Sequence, residues 1–210
     1  MYSKKDNLLF VHIPKTGGQT ILRHFLEKHN IKWENRNILF ADKMQIFGKK
    51  IITEHLSYEE YINYNVISKD EIVKLDIISI VRNPYDRFLS YFYMKKNKPK
   101  FIDLNIETLI KKSKQYLTTN NPEKQIEKQY IMIKPQYLFL RNCKDVKVFK
   151  YEKYNEIEEY LKKFNIKNIK KRNVGSKKAK LNYNNDFEKC IDFVNEFFKK
   201  DFELFNYKML

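Results

Sequence analysis

The feature that most restricts this chain is the run Leu8-Leu9-Phe10-Val11-His12-Ile13-Pro14-Lys15-Thr16-Gly17-Gly18-Gln19-Thr20. It reads as a short buried strand, a turn holding one proline and paired glycines, and then a helix with Ile21, Leu22, Phe25 and Leu26 on one side. Such a junction is suited to an anion. Glycine lets the backbone come close, a new helix offers unpaired N–H groups with the positive end of its dipole, and Lys15 adds a point charge. Thr16 and Thr20 offer hydroxyl donors, and the bare alternative is a tight turn with no ligand.

A second strand, Asp76-Ile77-Ile78-Ser79-Ile80-Val81, runs directly into Arg82-Asn83-Pro84-Tyr85-Asp86-Arg87-Phe88-Leu89-Ser90-Tyr91. Asn83 is a good cap, Pro84 suits the first helical position, and Asp86 favours the positive helix start. Arg82 therefore stands at the carboxyl end of a central strand, where α/β sheets bind ligands, with Ser90 two turns along the new helix. Continuous apolar strands alternating with helices predict an α/β fold with a P-loop-like central parallel β-sheet flanked by helices on both faces. Further strands are expected at 38–40, 51–53 and 146–149, and helices at 106–117, 122–130 and 152–164. A last amphipathic helix carries Phe187, Ile191, Val194 and Phe198. The chain of 210 residues is read as one domain, 1–210.

The Walker A loop places its lysine after the glycines and follows it with serine or threonine. Here Lys15 precedes Gly17 and Gly18. The order P-K-T-G-G-x-T resembles instead the 5′-phosphosulfate loop of sulfotransferases that use 3′-phosphoadenosine 5′-phosphosulfate (PAPS). The run from Arg82 to Tyr91 resembles the 3′-phosphate motif of the same enzymes, R-[DN]-P-x-x-R-x-x-S-x-Y. The likeness is nearest to the carbohydrate branch that includes the heparan sulfate and uronyl 2-O-sulfotransferases.

That resemblance implies a sulfuryl transfer from PAPS to a hydroxyl, releasing 3′-phosphoadenosine 5′-phosphate (PAP), with no metal. Lys15, Thr16, Gly17, Gly18, Gln19 and Thr20 would cradle the 5′ side, and Lys15 would also act catalytically. Arg82 and Ser90 would hold the 3′-phosphate, assisted by Asn173, Gly175 and Ser176. Thr53-Glu54-His55-Leu56-Ser57-Tyr58 is similar to the G-H-x-S-Y segment that carries the branch's catalytic histidine. His55 is the first candidate for the base and Glu54, standing where glycine is usual, the second. His12 reads as a core residue, His24 and His29 as helix-surface residues, and no histidine cluster for a metal is evident.

The formal net charge is +16, from 42 Lys and Arg against 26 Asp and Glu. That balance suits an anionic partner without identifying it; the family resemblance implies a hydroxylated acceptor, a glycan or polysaccharide or another small molecule. No motif for specific nucleic-acid recognition is present. Two competing readings are a P-loop-type kinase or NTPase, which would turn over ATP with Mg²⁺, and a non-enzymatic module binding RNA or glycan polyanions. Cys143 and Cys190 have no metal or disulfide spacing. With neither signal peptide nor membrane span visible in the sequence, a cytoplasmic location is expected.

Overall fold

The computed structural model describes residues 1–40, 45–46, 48–50, 53–167, 169 and 183–210. Its strands are β1 (Tyr2–Ser3), β2 (Leu8–Val11), β3 (Gln45–Ile46), β4 (Lys49–Lys50), β5 (Asp76–Val81) and β6 (Val146–Lys150). Its α-helices are α1 (Gly18–Lys28), α2 (Tyr58–Asn63), α3 (Lys69–Ile72), α4 (Pro84–Lys96), α5 (Ile106–Leu117), α6 (Pro122–Gln125), α7 (Lys128–Ile133), α8 (Tyr154–Leu161) and α9 (Tyr183–Leu204). The chain divides into two compact units, Met1–Val81 with Leu138–Asn173, and Arg82–Tyr137 with Val174–Leu210.

The first unit holds a four-stranded sheet in the order β1-β2-β5-β6. β2 pairs parallel with β5, and β5 parallel with β6. Leu8, Leu9, Phe10 and Val11 are each 0% exposed. Because successive strand residues point to opposite faces, this strand is covered on both. One core joins Leu8, Phe10, Ile78 and Ile80 of the sheet to Ile21, Leu22 and Phe25 of α1 and to Ile157 and Leu161 of α8. The i, i+3, i+4 spacing of those helical residues aims them at the strands.

The sheet is mixed where the sequence suggests a parallel one. Lys4–Asp6 forms a 3₁₀ turn ending on Asn7 with φ 51°, which folds Tyr2 and Ser3 back antiparallel onto Leu9 and Leu8. The strand expected at 38–40 is instead the end of a 3₁₀ helix, Trp33–Leu39. Two guanidiniums cover Trp33, Arg23 at 4.0 Å and Arg36 at 4.7 Å from the ring centroid, and Leu39 turns into the core. Residues 51 and 52 of the strand expected at 51–53 lie outside the described residues.

In the second unit, Asn83 accepts the Tyr85 N–H at 3.0 Å and Pro84 opens α4, as the sequence suggests. Tyr85, Phe88, Leu89 and Phe92 of α4 pack with Ile106 and Leu109 of α5 and with Phe193, Val194 and Phe202 of α9. The helix expected at 122–130 is broken in two. Glu127 adopts extended backbone, φ −69° and ψ 146°, and α7 restarts after it with Tyr130 to Ile133 buried. Among the described residues no helix is long and apolar enough to cross a membrane.

Candidate active site

The turn between β2 and α1 is held from within. The Thr16 hydroxyl donates to the Ile13 carbonyl at 2.8 Å, and Lys15 and Gly17 both take left-handed backbone, φ 70° and 83°. For a lysine this costs on the order of 1–2 kcal/mol, a strain found where the surroundings dictate the conformation. Lys15, Gly17 and Gln19 are at least partly exposed, whereas Thr16, Gly18 and Thr20 are buried. The accessible surface of the turn thus comes from alternate residues.

Both glycines also have steric reasons to be there. A Cβ on Gly18 would overlap the His12 ring and lie 2.8 Å from Phe10 Cζ, and one on Gly17 would lie 2.8 Å from Tyr151 Cε2. The start of α1 therefore sits directly on His12.

His12 is 4% exposed and stacks on Phe10, with ring centroids 5.4 Å apart and planes at 19°. Burial, then the neighbouring His55 and the amino terminus, hold its pKa well below the ordinary histidine value, so the ring is neutral. Its Nδ1 lies 3.5 Å from Glu54 Oε1, and its carbonyl is 2.9 Å from His55 Nδ1. The ring centroids of His12 and His55 are 4.4 Å apart.

The segment bearing His55 is anchored just beyond it. Leu56 is buried, and Ser57 caps α2, its N–H donating to Glu60 Oε2 at 2.7 Å and its hydroxyl to the same oxygen at 2.8 Å. A carbonyl only accepts, so His55 Nδ1 must carry a proton. In the neutral ring the lone pair is then on Nε2, the form that takes a proton from a substrate.

His12, Glu54 and His55 each offer one ligand atom, all within 4.8 Å of one another, and could hold a metal ion. This corrects the expectation that no histidine cluster forms. The contacts bringing His12 to His55 span 43 positions, beyond the reach of any local spacing rule. His24 and His29 also depart from expectation. Their side chains are 10% and 11% exposed, His24 Nδ1 lying 3.3 Å from Glu27 and His29 Nε2 2.6 Å from Asp6.

At the start of the second unit Arg82 and Ser90 are both partly exposed. The Arg82 N–H donates to Gln136 Oε1 at 2.9 Å, and its carbonyl accepts from Gln136 Nε2 at 2.9 Å. Arg87, the second arginine of the motif, is 3% exposed, and burial pulls its guanidinium pKa down to about 10, against the opposing pull of Asp201. It donates to the Met132 carbonyl at 3.4 Å, a structural contact. Gln136 carries no local motif that marks it, whereas Asp201 opens a stretch, Asp201 to Phe205, that is similar to a landmark of the family. Asn173, Gly175 and Ser176 lie outside the described residues.

No curated protein and no solved structure matches the chain significantly. A family model described as the sulfotransferase family matches residues 1–208, through both units and both phosphate-type motifs. The chain therefore belongs to the sulfotransferase family, whose members transfer a sulfuryl group from PAPS.

Proposed function

We propose that this enzyme sulfates a hydroxyl of a carbohydrate, and that residues 1–210 work as a single sulfotransferase domain. The family match across both units supports the second half of that reading. The likeness of Thr53–Tyr58 to the carbohydrate branch supports the first. An anionic polysaccharide suits the net charge of +16.

Each of the two motifs carries donors of the kind that hold one anionic end of a nucleotide such as PAPS. Lys15, the backbone of Thr16 to Thr20 and the opening of α1 take the 5′ side, and Arg82 with Ser90 takes the 3′-phosphate. Asn173, Gly175 and Ser176 belong to the same proposed 3′ side. PAPS supplies the sulfuryl group. The Lys15 ammonium offsets the charge that grows on the leaving 5′-phosphate oxygen. His55 Nε2 takes the acceptor hydroxyl's proton as its oxygen bonds to sulfur and the bond from sulfur to the phosphate oxygen breaks, leaving PAP. Glu54, whose Oε1 lies 3.5 Å from His12 Nδ1, is the second candidate for the base. The scheme requires no metal.

The observation that carries this reading is the hydrogen bond from His55 Nδ1 to the His12 carbonyl, which commits the lone pair to Nε2. Labelled PAPS incubated with the protein and a panel of polysaccharides, sugars, phenols and steroids tests it. Transfer to a polysaccharide is expected, with His55→Ala lowering turnover about 10²- to 10⁴-fold. Transfer to phenols or steroids alone rejects the carbohydrate acceptor, and full turnover by His55→Ala rejects the base.

A further inference from the structure

The last pair of the β5–β6 ladder is Val81 with Lys150, and Arg82 is the next residue. Its backbone is bracketed. The side-chain amide of Gln136 accepts from the Arg82 N–H and donates to the Arg82 carbonyl, both at 2.9 Å, so one side chain holds both peptide groups of this residue. Gln136 is 0% exposed. A buried primary amide is costly unless its hydrogen-bonding capacity is used, and here both ends of the amide are spent on one residue.

The bracket is itself pinned. The Gln136 N–H donates to Asp201 Oδ2 at 2.8 Å and the Tyr137 N–H to Asp201 Oδ1 at 2.9 Å, so each carboxylate oxygen holds one peptide of the same turn. Asp201, on α9, is 0% exposed, and burial raises its pKa against the pull of those bonds and of Arg87. An apolar pair would fill this space at lower cost, since burying an amide and a carboxylate adds little net stability. What the polar arrangement adds is a fixed backbone at one residue, and that residue carries the arginine of the phosphate motif.

We propose that Gln136, held by Asp201, is a positioning residue for the 3′-phosphate, acting through Arg82. This rests on the reading of Arg82 as the 3′-phosphate residue. A long arginine side chain reaches a phosphate bidentately only if its root is fixed, and small displacements of a binding group cost disproportionately. Gln136 touches no nucleotide in this scheme. Its contribution is confined to whatever Arg82 contacts.

The test is calorimetric binding of PAP and of adenosine 5′-phosphate, which lacks the 3′-phosphate, to the full chain. Wild type, Gln136→Ala, Arg82→Ala and the double variant are compared. Gln136→Ala is expected to weaken PAP about tenfold while leaving adenosine 5′-phosphate within about twofold. In the Arg82→Ala background the same substitution should change neither Kd. Equal weakening of both nucleotides, or a loss of PAP affinity that persists without Arg82, overturns the proposal in favour of a purely structural role. Gln136→Glu keeps the acceptor for the Arg82 N–H and loses the donor, so its PAP affinity should fall between wild type and Gln136→Ala. It also serves if Gln136→Ala does not fold, and a PAP affinity equal to wild type then overturns the proposal. If Arg82→Ala leaves the ratio of the two affinities unchanged, the underlying assignment of Arg82 fails, and that result is separate from any effect at Gln136.

Discussion

The Lys15 turn and the Arg82 corner each present a cation just after a strand of the same parallel pair, but they are held by different means. Lys15 is held by backbone conformation and by shape, in left-handed geometry beside a left-handed glycine, with Gly18 seated on the His12 ring. Arg82 is held by buried polar side chains, an amide on its peptide groups and a carboxylate behind the amide. The first corner tolerates no added volume. The second tolerates no lost hydrogen bond. One chain thus fixes two cations by steric exclusion in one place and by directional bonding in the other.

Lys15→Gly separates charge from conformation and should have the largest effect. Transfer should fall about 10²- to 10³-fold, as for loss of one transition-state donor, while relief of the left-handed strain leaves melting temperature equal or higher. Steady-state kinetics with a parallel thermal melt checks both halves. A large drop in melting temperature would show that Lys15 holds the turn together by its contacts.

Gly18→Ala probes shape alone. The added methyl must displace the His12 ring, and His12 in turn carries the carbonyl that orients His55. Destabilisation of about 1–3 kcal/mol is expected from overpacking, with a fall in turnover. Denaturant unfolding together with turnover reads the two effects, and a variant as stable and active as wild type would remove the steric argument.

Arg82→Lys keeps the charge and loses the planar fork. PAP binding should weaken about tenfold with little change in stability, measured by calorimetry and melting. Unchanged affinity would mean that the corner needs only a positive charge.

These variants also mark how far the sequence could be read. The Lys15 turn is legible because its strand, glycines and helix start all lie within residues 8–28, and the left-handed Gly17 is where a strand-to-helix junction calls for glycine, although the Tyr151 ring that also packs on Gly17 is out of local reach. The α4 start is legible for the same reason, since Asn83 and Pro84 act on adjacent residues. Gln136 is not, because its meaning lies in an arginine 54 positions away and an aspartate 65 positions away. His12 reads as an ordinary core histidine until the fold brings Glu54 and His55 against it. The two-residue strand β1 is set by the turn at Lys4–Asn7 rather than by its own apolar pattern. The sulfotransferase family match replaces the kinase and binding-module readings that charge and a glycine turn alone leave open.

The smallest effect is on stability against pH. His12 has a folded pKa well below its unfolded value, so below about pH 6.5 the unfolded chain binds a proton that the folded chain does not. Its contribution is fully present above that pH and declines as pH falls toward the folded pKa, by up to about 1.4 kcal/mol per pH unit. Urea unfolding from pH 7.5 to 5.5 should show this slope, reduced in His12→Asn, and a slope unchanged by that variant would assign it to another group.

The central proposal, that Lys15 serves the 5′ end and Arg82 the 3′-phosphate of PAPS, is tested most directly by the affinity of PAP for Lys15→Ala, Arg82→Ala and the double variant, each set beside adenosine 5′-phosphate. The account predicts that both single variants weaken PAP, and that only Arg82→Ala erases the preference for PAP over adenosine 5′-phosphate. Equal loss of both nucleotides in Arg82→Ala, or PAP binding untouched by Lys15→Ala, would contradict it.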